Sequence, residues 1–409
     1  MKIIVQKYGG TSLATPELRS RVCDIIAAHR QEETALVVVV SAMGREKEAY
    51  ATDTFINLIK ESNPDPPLRE MDILVSCGET ISGVLLTSHL CARGIKAKFL
   101  SGEQAGIITD SNYGNAHILY VNPQHLLECL SAGMVVVVAG FQGISEQGER
   151  TTLGRGGSDT TASALGVALD AEYIDIFTDV EGIMTADPRI VGNARLLDAV
   201  TYNEICQLAR EGAKVVHPRA IEIAMQKSIP LRVRSTFTDS VGTIVANQNP
   251  VWDNRARIIA DRLITGITYT SNIAQIKISI DSHLEPRGID LKIFKSLAQA
   301  DISVDFITVQ PEAIRFTVNN ELAQKTKEVL KKLDLSFDIE LNCAKVAIVG
   351  AAMTGIPGVM SKVVEALSEN DISILQSGDS YTNIWCLVNS KDMEKAVQAL
   401  HDKFELGNK

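Results

Sequence analysis

Three short strings carry side chains suited to handling phosphates and carboxylates. The first, Lys7-Tyr8-Gly9-Gly10-Thr11-Ser12, follows an apolar run and precedes a helical pattern. Glycines let backbone amides approach phosphate oxygens, a following helix start adds its own amides and dipole, and Lys7 can neutralise charge passing from a β- to a γ-phosphate. Neither GxxxxGK[ST] nor GxGxxG is present, which weakens P-loop and dinucleotide readings. Two glycines alone also fit an ordinary strand-to-helix turn. The second string, Gly154-Arg155-Gly156-Gly157-Ser158-Asp159-Thr160-Thr161, leads into an alanine-rich helical pattern. Amides at a helix start bind anions, and an arginine can grip a carboxylate through two parallel hydrogen bonds. Asp159 by itself fits a helix N-cap; the whole string asks for more. The third string runs from Thr178 and Asp179 through Met184 to Arg189, after the run EYIDIF. That is the carboxyl edge of a strand, where open α/β sheets bind ligands, although a polar loop with Asp-Pro turn chemistry explains its residues singly.

Short β-branched runs near Ile3, Ala35, Lys96, Met134, Glu172 and Pro230 alternate with helical patterns over 16–30, 71–92, 159–169 and 218–227. This alternation predicts an α/β class, a mostly parallel sheet with helices on both faces. A polar stretch at 246–262 reads as a linker. Beyond it, GIDLKIFKSLAQADISVDFI from Gly288 and GVMSKVVEALSENDISILQS from Gly358 are two copies of one unit, offset by 70 residues. Each copy reads β-α-β-β-α, with a last strand clear in the first copy and not in the second, as in a ferredoxin-like βαββαβ unit. A repeat of this kind can also be purely structural.

A chain of 409 residues exceeds one hydrophobic core, so two or three domains are expected. Its net charge of -10 argues against nucleic-acid and anionic-membrane surfaces and favours small-molecule partners. The seven cysteines form no CxxC pair and read as reduced core residues. No signal-like segment opens the chain and the apolar runs look too interrupted to span a membrane, so a cytoplasmic location is expected.

KYGGTS at Lys7, VSAMG at Val40, SCGETIS at Ser76, GFQG at Gly140, GRGGSDTTA at Gly154, TDVEGIMTADPR at Thr178 and GAKVVHPRA at Gly212 are similar, in this order, to the motifs of aspartokinases in the amino-acid kinase family. The resemblance spans essentially the whole chain, because the repeat resembles that family's tandem ACT domains, and it points most closely to the Bacillus-type, diaminopimelate-sensitive members. It implies a three-layer αβα kinase domain over 1–245, a linker over 246–262, and ACT domains over 263–338 and 343–409. It also implies ATP and Mg²⁺ as cofactors and L-aspartate as the phosphoryl acceptor.

By this resemblance, Lys7 stabilises the transferring phosphoryl group and Gly9, Gly10, Thr11 and Ser12 contact phosphates. Ser41, Thr52, Glu79, Arg155, Gly156 and Ser158 hold aspartate, Glu79 suiting its ammonium and Arg155 a carboxylate. Asp159 orders substrate or Mg²⁺, with Asp179 an equal candidate for the metal. Thr178, Asp179, Met184, Arg189 and Lys214 contact nucleotide. The chain departs from the family pattern after Gly44, where 45–50 intervene before Thr52, and at Met184, where relatives often carry an aromatic ring. His217 tempts as a general base, but a carboxylate acceptor is already ionised at neutral pH and needs positioning more than deprotonation. The ACT pair implies feedback by diaminopimelate, lysine or threonine at Ser303, Asp305, Met353, Thr354, Gly355 and Gln376, and a homodimer through these domains. Another amino-acid kinase, or a catalytically weak amino-acid sensor, shares parts of the pattern. The combination of SCGETIS, GRGGSD and tandem repeat disfavours the first, and the intact Lys7, Glu79, Arg155 and Asp159 disfavour the second.

Overall fold

Valine-rich runs such as Thr34–Val40 and Val135–Ala139 are buried along nearly their whole length, as strands covered on both faces must be. The computed structural model describes all residues except 31–33, 46, 214, 248–262, 281–287, 352, 354–355 and 409. Two units emerge: Met1–Ile183, Leu196–Arg210 and Lys214–Asp261 form the first, and Met184–Arg195, Glu211–Ala213 and Arg262–Lys409 the second.

The first unit is built on an eight-stranded sheet. Its order is Ala199–Val200, Thr243–Val245, Leu231–Ser235, Tyr173–Thr178, Lys2–Tyr8, Thr34–Val40, Val135–Ala139 and Ala97–Leu100. All pairings are parallel except the one between Leu231–Ser235 and Thr243–Val245. Ile4, Tyr8, Leu36 and Val38 pack on one face with Val22, Ile26, Leu86 and Leu90, from the helices Pro16–His29 and Cys77–Ala92. Strand alternation therefore sends Lys7 to the opposite face, which the helix Gly157–Ala168 covers. A second sheet, ordered Ile118–Val121, Ile107–Thr109, Gln142–Ser145 and Arg150–Thr152, carries the hairpin that leads to Gly154.

Two expectations change here. Gly10–Leu13 is a single helical turn, and the long helix begins only at Pro16, where Thr15 caps it by accepting the Leu18 amide at 3.3 Å. The first glycine string therefore lacks a long helix whose dipole faces it. Helix Leu68–Val75 also runs into Cys77–Ala92 across Ser76, giving an apolar helical stretch long enough to cross a membrane. It carries Arg69, Glu70, Asp72 and Glu79, with Asp72 and Glu79 buried, and is a core helix.

The second unit is one six-stranded antiparallel sheet, ordered Asp305–Gln310, Ala313–Asn319, Gly266–Ser279, Ser336–Val349, Asn383–Asn389 and Gln376–Asp379. Two fourteen-residue strands, Gly266–Ser279 and Ser336–Val349, are shared by both copies of the repeat. The strand the second copy lacks in sequence comes from upstream: 266–270 pairs antiparallel with 345–349. In each copy the Asp-Ile-Ser string ends a helix. Asp301 and Asp371 adopt positive φ of 53° and 58°, and the Ile302 and Ile372 amides reach back to the Leu297 and Leu367 carbonyls at 3.0 and 2.9 Å.

Candidate functional site

Lys7 is the penultimate residue of the strand Lys2–Tyr8 and Asp159 lies in the first turn of Gly157–Ala168, so strand and helix bring opposite charges to one point. Lys7 Nζ stands 2.7 Å from Asp159 Oδ1, and both side chains are about nine-tenths buried. Gly9 follows directly: its amide donates to the Phe177 carbonyl at 3.3 Å, and a Cβ there would lie 3.7 Å from Lys7 Nζ. Gly10 has no room for a side chain, because a Cβ would sit 2.3 Å from the Ala42 carbonyl oxygen and 2.8 Å from that of Gly44. The Gly44 amide closes this contact by donating to Gly10 at 3.1 Å. Ser12 is buried, with its hydroxyl 2.6 Å from that of Thr236, so it braces the turn. Thr11 is half-buried on the same turn.

Ser41 follows the strand Thr34–Val40 and donates its amide to the Tyr8 carbonyl at 3.1 Å. Next to it, the Ala42 amide donates to Glu79 Oε1 at 3.1 Å. Glu79 Oε2 is buried without a hydrogen-bond partner among the described residues. Burial raises this carboxyl to about 8 against the partial opposition of the Ala42 amide. A buried carboxylate oxygen with no donor marks a place for a cationic ligand group. Thr52 is half-buried at the start of the helix Thr52–Ser62.

Ser158 is buried with its Oγ against Gly140, where a Cβ would come within 2.8 Å of it. Gly156 has φ of 67° and fits under His217, since a Cβ there would meet the His217 Cβ, Cγ and Cδ2 at 2.2–2.6 Å. Arg155, one residue earlier, is exposed and forms no ion pair among the described residues. His217 caps Pro218–Gln226, its Nδ1 accepting the Arg219 amide at 3.3 Å, and burial lowers its pKa although the Asp159 charge opposes this. That is a capping role, consistent with a reaction that needs no imidazole base.

Thr178 ends its strand, and its hydroxyl donates to Asp179 Oδ1 at 3.2 Å. Asp179 Oδ2 is paired with Arg45 at 2.7 Å, both side chains being exposed. Met184 and Arg189 follow on the same string. They lie on Met184–Arg195, which clusters with the second unit, where Ala186 and Val191 enter a core with Ile348, Val363 and Leu400. Arg189 is also committed to Asp187 through contacts of 3.0 and 2.6 Å. Lys214 lies outside the described residues. Among the described residues no three His, Cys, Asp or Glu side chains converge as a metal cage.

In the second unit, Asp305 pairs with Lys345 at 3.0 Å, and Lys345 also pairs with Glu211 at 2.9 Å. Glu211 in turn accepts from Asn383 at 3.2 Å and Trp385 at 3.1 Å. Burial alone would lower the Lys345 pKa, but the two carboxylates reverse this and raise it. Gln376 is fully engaged: its amide nitrogen, Nε2, donates to the Phe306 carbonyl at 2.7 Å and to Thr308 at 2.9 Å, and its Oε1 accepts from Gln275 at 2.8 Å. Ser303 is exposed and Met353 is buried in the apolar core, while Thr354 and Gly355 lie outside the described residues. Sequence reasoning missed Asp72 and Lys345, both of which carry buried charge through tertiary partners far apart in the chain.

A profile described as the Amino acid kinase family matches residues 2–235, and an ACT domain profile matches 338–402. Over 408 residues the sequence is 49% identical to Aspartokinase 1 of Bacillus subtilis (strain 168), covering 99% of this chain and 100% of that protein. Two solved structures of E. coli aspartokinase III are similar at 28% identity. The complex with aspartate and ADP (R-state) has a TM-score of 0.76 and coverage of 98% of this chain and 99% of that one. The complex with lysine and aspartate (T-state) has a TM-score of 0.75 and coverage of 99% and 100%.

Proposed function

This chain belongs to the aspartokinases of the amino acid kinase family, and we infer that it transfers the γ-phosphate of ATP to the side-chain carboxylate of L-aspartate, giving ADP and 4-phospho-L-aspartate. The observation that carries this reading is the Lys7–Asp159 pair at 2.7 Å, held at the carboxyl end of the central strand beside Gly9 and Gly10. Phosphoryl transfer to an ionised carboxylate asks for positioning and charge neutralisation, which a held ammonium supplies. We assign Lys7 to the transferring phosphoryl group, Gly9, Gly10, Thr11 and Ser12 to the phosphate turn, and Thr178 and Asp179 to the nucleotide side. Glu79 receives the aspartate ammonium; Arg155 grips its α-carboxylate, supported by Ser41, Thr52, Gly156 and Ser158.

Mg²⁺ suits the hard carboxylate oxygens of Asp159 and Asp179, with phosphates supplying most of its ligands, as is usual for this ion. When bound, it neutralises phosphate charge. The domain reading is 1–245 for the kinase and 263–338 and 343–409 for two ACT domains, with most of the 246–262 linker outside the described residues. The ACT pair supports feedback by an aspartate-derived amino acid, diaminopimelate first, then lysine, then threonine, and a homodimer in the cytoplasm.

The test is a coupled assay of ADP formation with aspartate, glutamate, acetylglutamate, carbamate and a nucleoside monophosphate as acceptors. Turnover with aspartate is expected, and turnover with another acceptor instead refutes the assignment. Lys7→Ala is expected to lower kcat by about 10³-fold while leaving effector binding intact. Undiminished turnover removes Lys7 from the mechanism.

A further inference from the structure

We propose that Asp72 is a positioning residue that fixes the separation between Glu79 and Arg155, and so between the groups that receive the ammonium and the α-carboxylate of aspartate. The inference rests on the assignment of those two groups made above. Asp72 and Glu79 are seven residues apart on the helical run through Ser76, about two turns, which puts both on one face. Asp72 is 1% exposed. It accepts the Gly114 amide at 3.0 Å on both oxygens, the Thr152 amide at 2.8 Å and the Thr152 hydroxyl at 2.7 Å. A second bond ties the same two elements, from Gln142 Nε2 to the Ser76 carbonyl at 2.9 Å. Gln142 and Thr152 are register partners across one hairpin, so the helix holds both of its strands.

Arg155 stands three residues beyond Thr152. Nothing among the described residues pairs with its guanidinium, so its placement derives from the backbone that Asp72 anchors. Gly114 belongs to the loop that packs under the same string, because a Cβ on Gly154 would meet Asn115 Oδ1 at 2.7 Å. One buried carboxylate thus gathers the Glu79 helix, the Arg155 hairpin and the loop beneath it. Such a charge without a cation is justified when several strong donors aim at it, as here. A substrate held at two points loses rate when either point shifts by about 1 Å, on the order of 100-fold.

The test begins with Glu79→Gln and Arg155→Ala in the full-length enzyme. Each is expected to raise KM for aspartate and leave KM for ATP within about twofold; if neither does, the recognition reading itself fails. Asp72→Asn is then compared in the wild-type and Arg155→Ala backgrounds, using kcat/KM for aspartate from the linear range. The expected loss is about 10- to 100-fold in the first background and under about threefold in the second, because a removed grip can no longer be misplaced. Equal losses in both backgrounds, or a matching rise in KM for ATP, overturn the proposal. Should Asp72→Asn not fold, Thr152→Val carries the same cycle: it removes one donor, keeps the backbone amide, and is expected to cost about three- to tenfold. No change in that variant overturns the proposal as well.

Discussion

Burial, with no cationic neighbour among the described residues, holds the Glu79 carboxyl at about 8, against an ordinary value of 4.5. At pH 7 about nine-tenths of the free enzyme would then be protonated at Glu79, and only the ionised tenth is ready to receive an ammonium group. Binding aspartate therefore expels about 0.9 proton per site at pH 7. The affinity for aspartate is expected to rise about fivefold from pH 7 to pH 8. Stability has the opposite sign. A carboxyl whose folded pKa is raised favours the folded state most below pH 4.5, and that contribution is lost as pH rises to 8. The shift of 8 - 4.5 = 3.5 sets a ceiling of about 5 kcal/mol, with relaxation and water entry reducing what is observed. Isothermal titration of aspartate in buffers of different ionisation enthalpy counts the proton, and KM across pH 6.5–8.5 gives the affinity. Glu79→Gln is expected to abolish both dependences, raise KM, and stabilise the unliganded enzyme at pH 8. A pH-independent KM with no proton release refutes the argument.

Gly10→Ala places a methyl 2.3 Å from one backbone carbonyl oxygen and 2.8 Å from another. Neither can retreat without moving 42–44, so kcat/KM for both substrates is expected to fall about 100-fold; wild-type kinetics would count against the close packing. Lys345→Met leaves the buried Glu211 without its cation and is expected to destabilise the protein by about 3–5 kcal/mol, read by denaturant unfolding. Adding Glu211→Gln is expected to recover part of that loss, and no recovery dismisses the charge argument. Arg45→Ala removes an exposed pair with Asp179 and is expected to change stability by less than about 1 kcal/mol, so a larger fall in melting experiments means that Arg45 has another task.

Much of the fold was legible because its causes are local. Continuous valine runs can only be strands buried on both faces, and the structure has them at the centre of the parallel sheet. The helices predicted over 16–30, 159–169 and 218–227 appear as Pro16–His29, Gly157–Ala168 and Pro218–Gln226; proline starts the first and third, whereas the second begins from Gly156 without a side-chain cap and Asp159, read as a cap, lies in its first turn. Thr52–Ser62 and Tyr202–Arg210 were not picked out, although both carry apolar residues at helical spacing. The repeat was readable because Asp-Ile-Ser ends a helix through its own backbone geometry.

The sequence by itself determined the chemistry of the three strings, the tandem repeat and the parallel sheet, because spacing and residue type act through neighbours along the chain. Tertiary structure decided what depends on residues far apart. It placed Lys7 on Asp159 across 152 positions, left one oxygen of Glu79 without a donor among the described residues, and supplied the second repeat's missing strand from 266–270, at the start of the first. It also divided the string 178–189 after Ile183, the part from Met184 onward clustering with the second unit, whose core Ala186 and Val191 enter. A contiguous motif fixes order along the chain, whereas packing of buried apolar side chains decides which body each part joins.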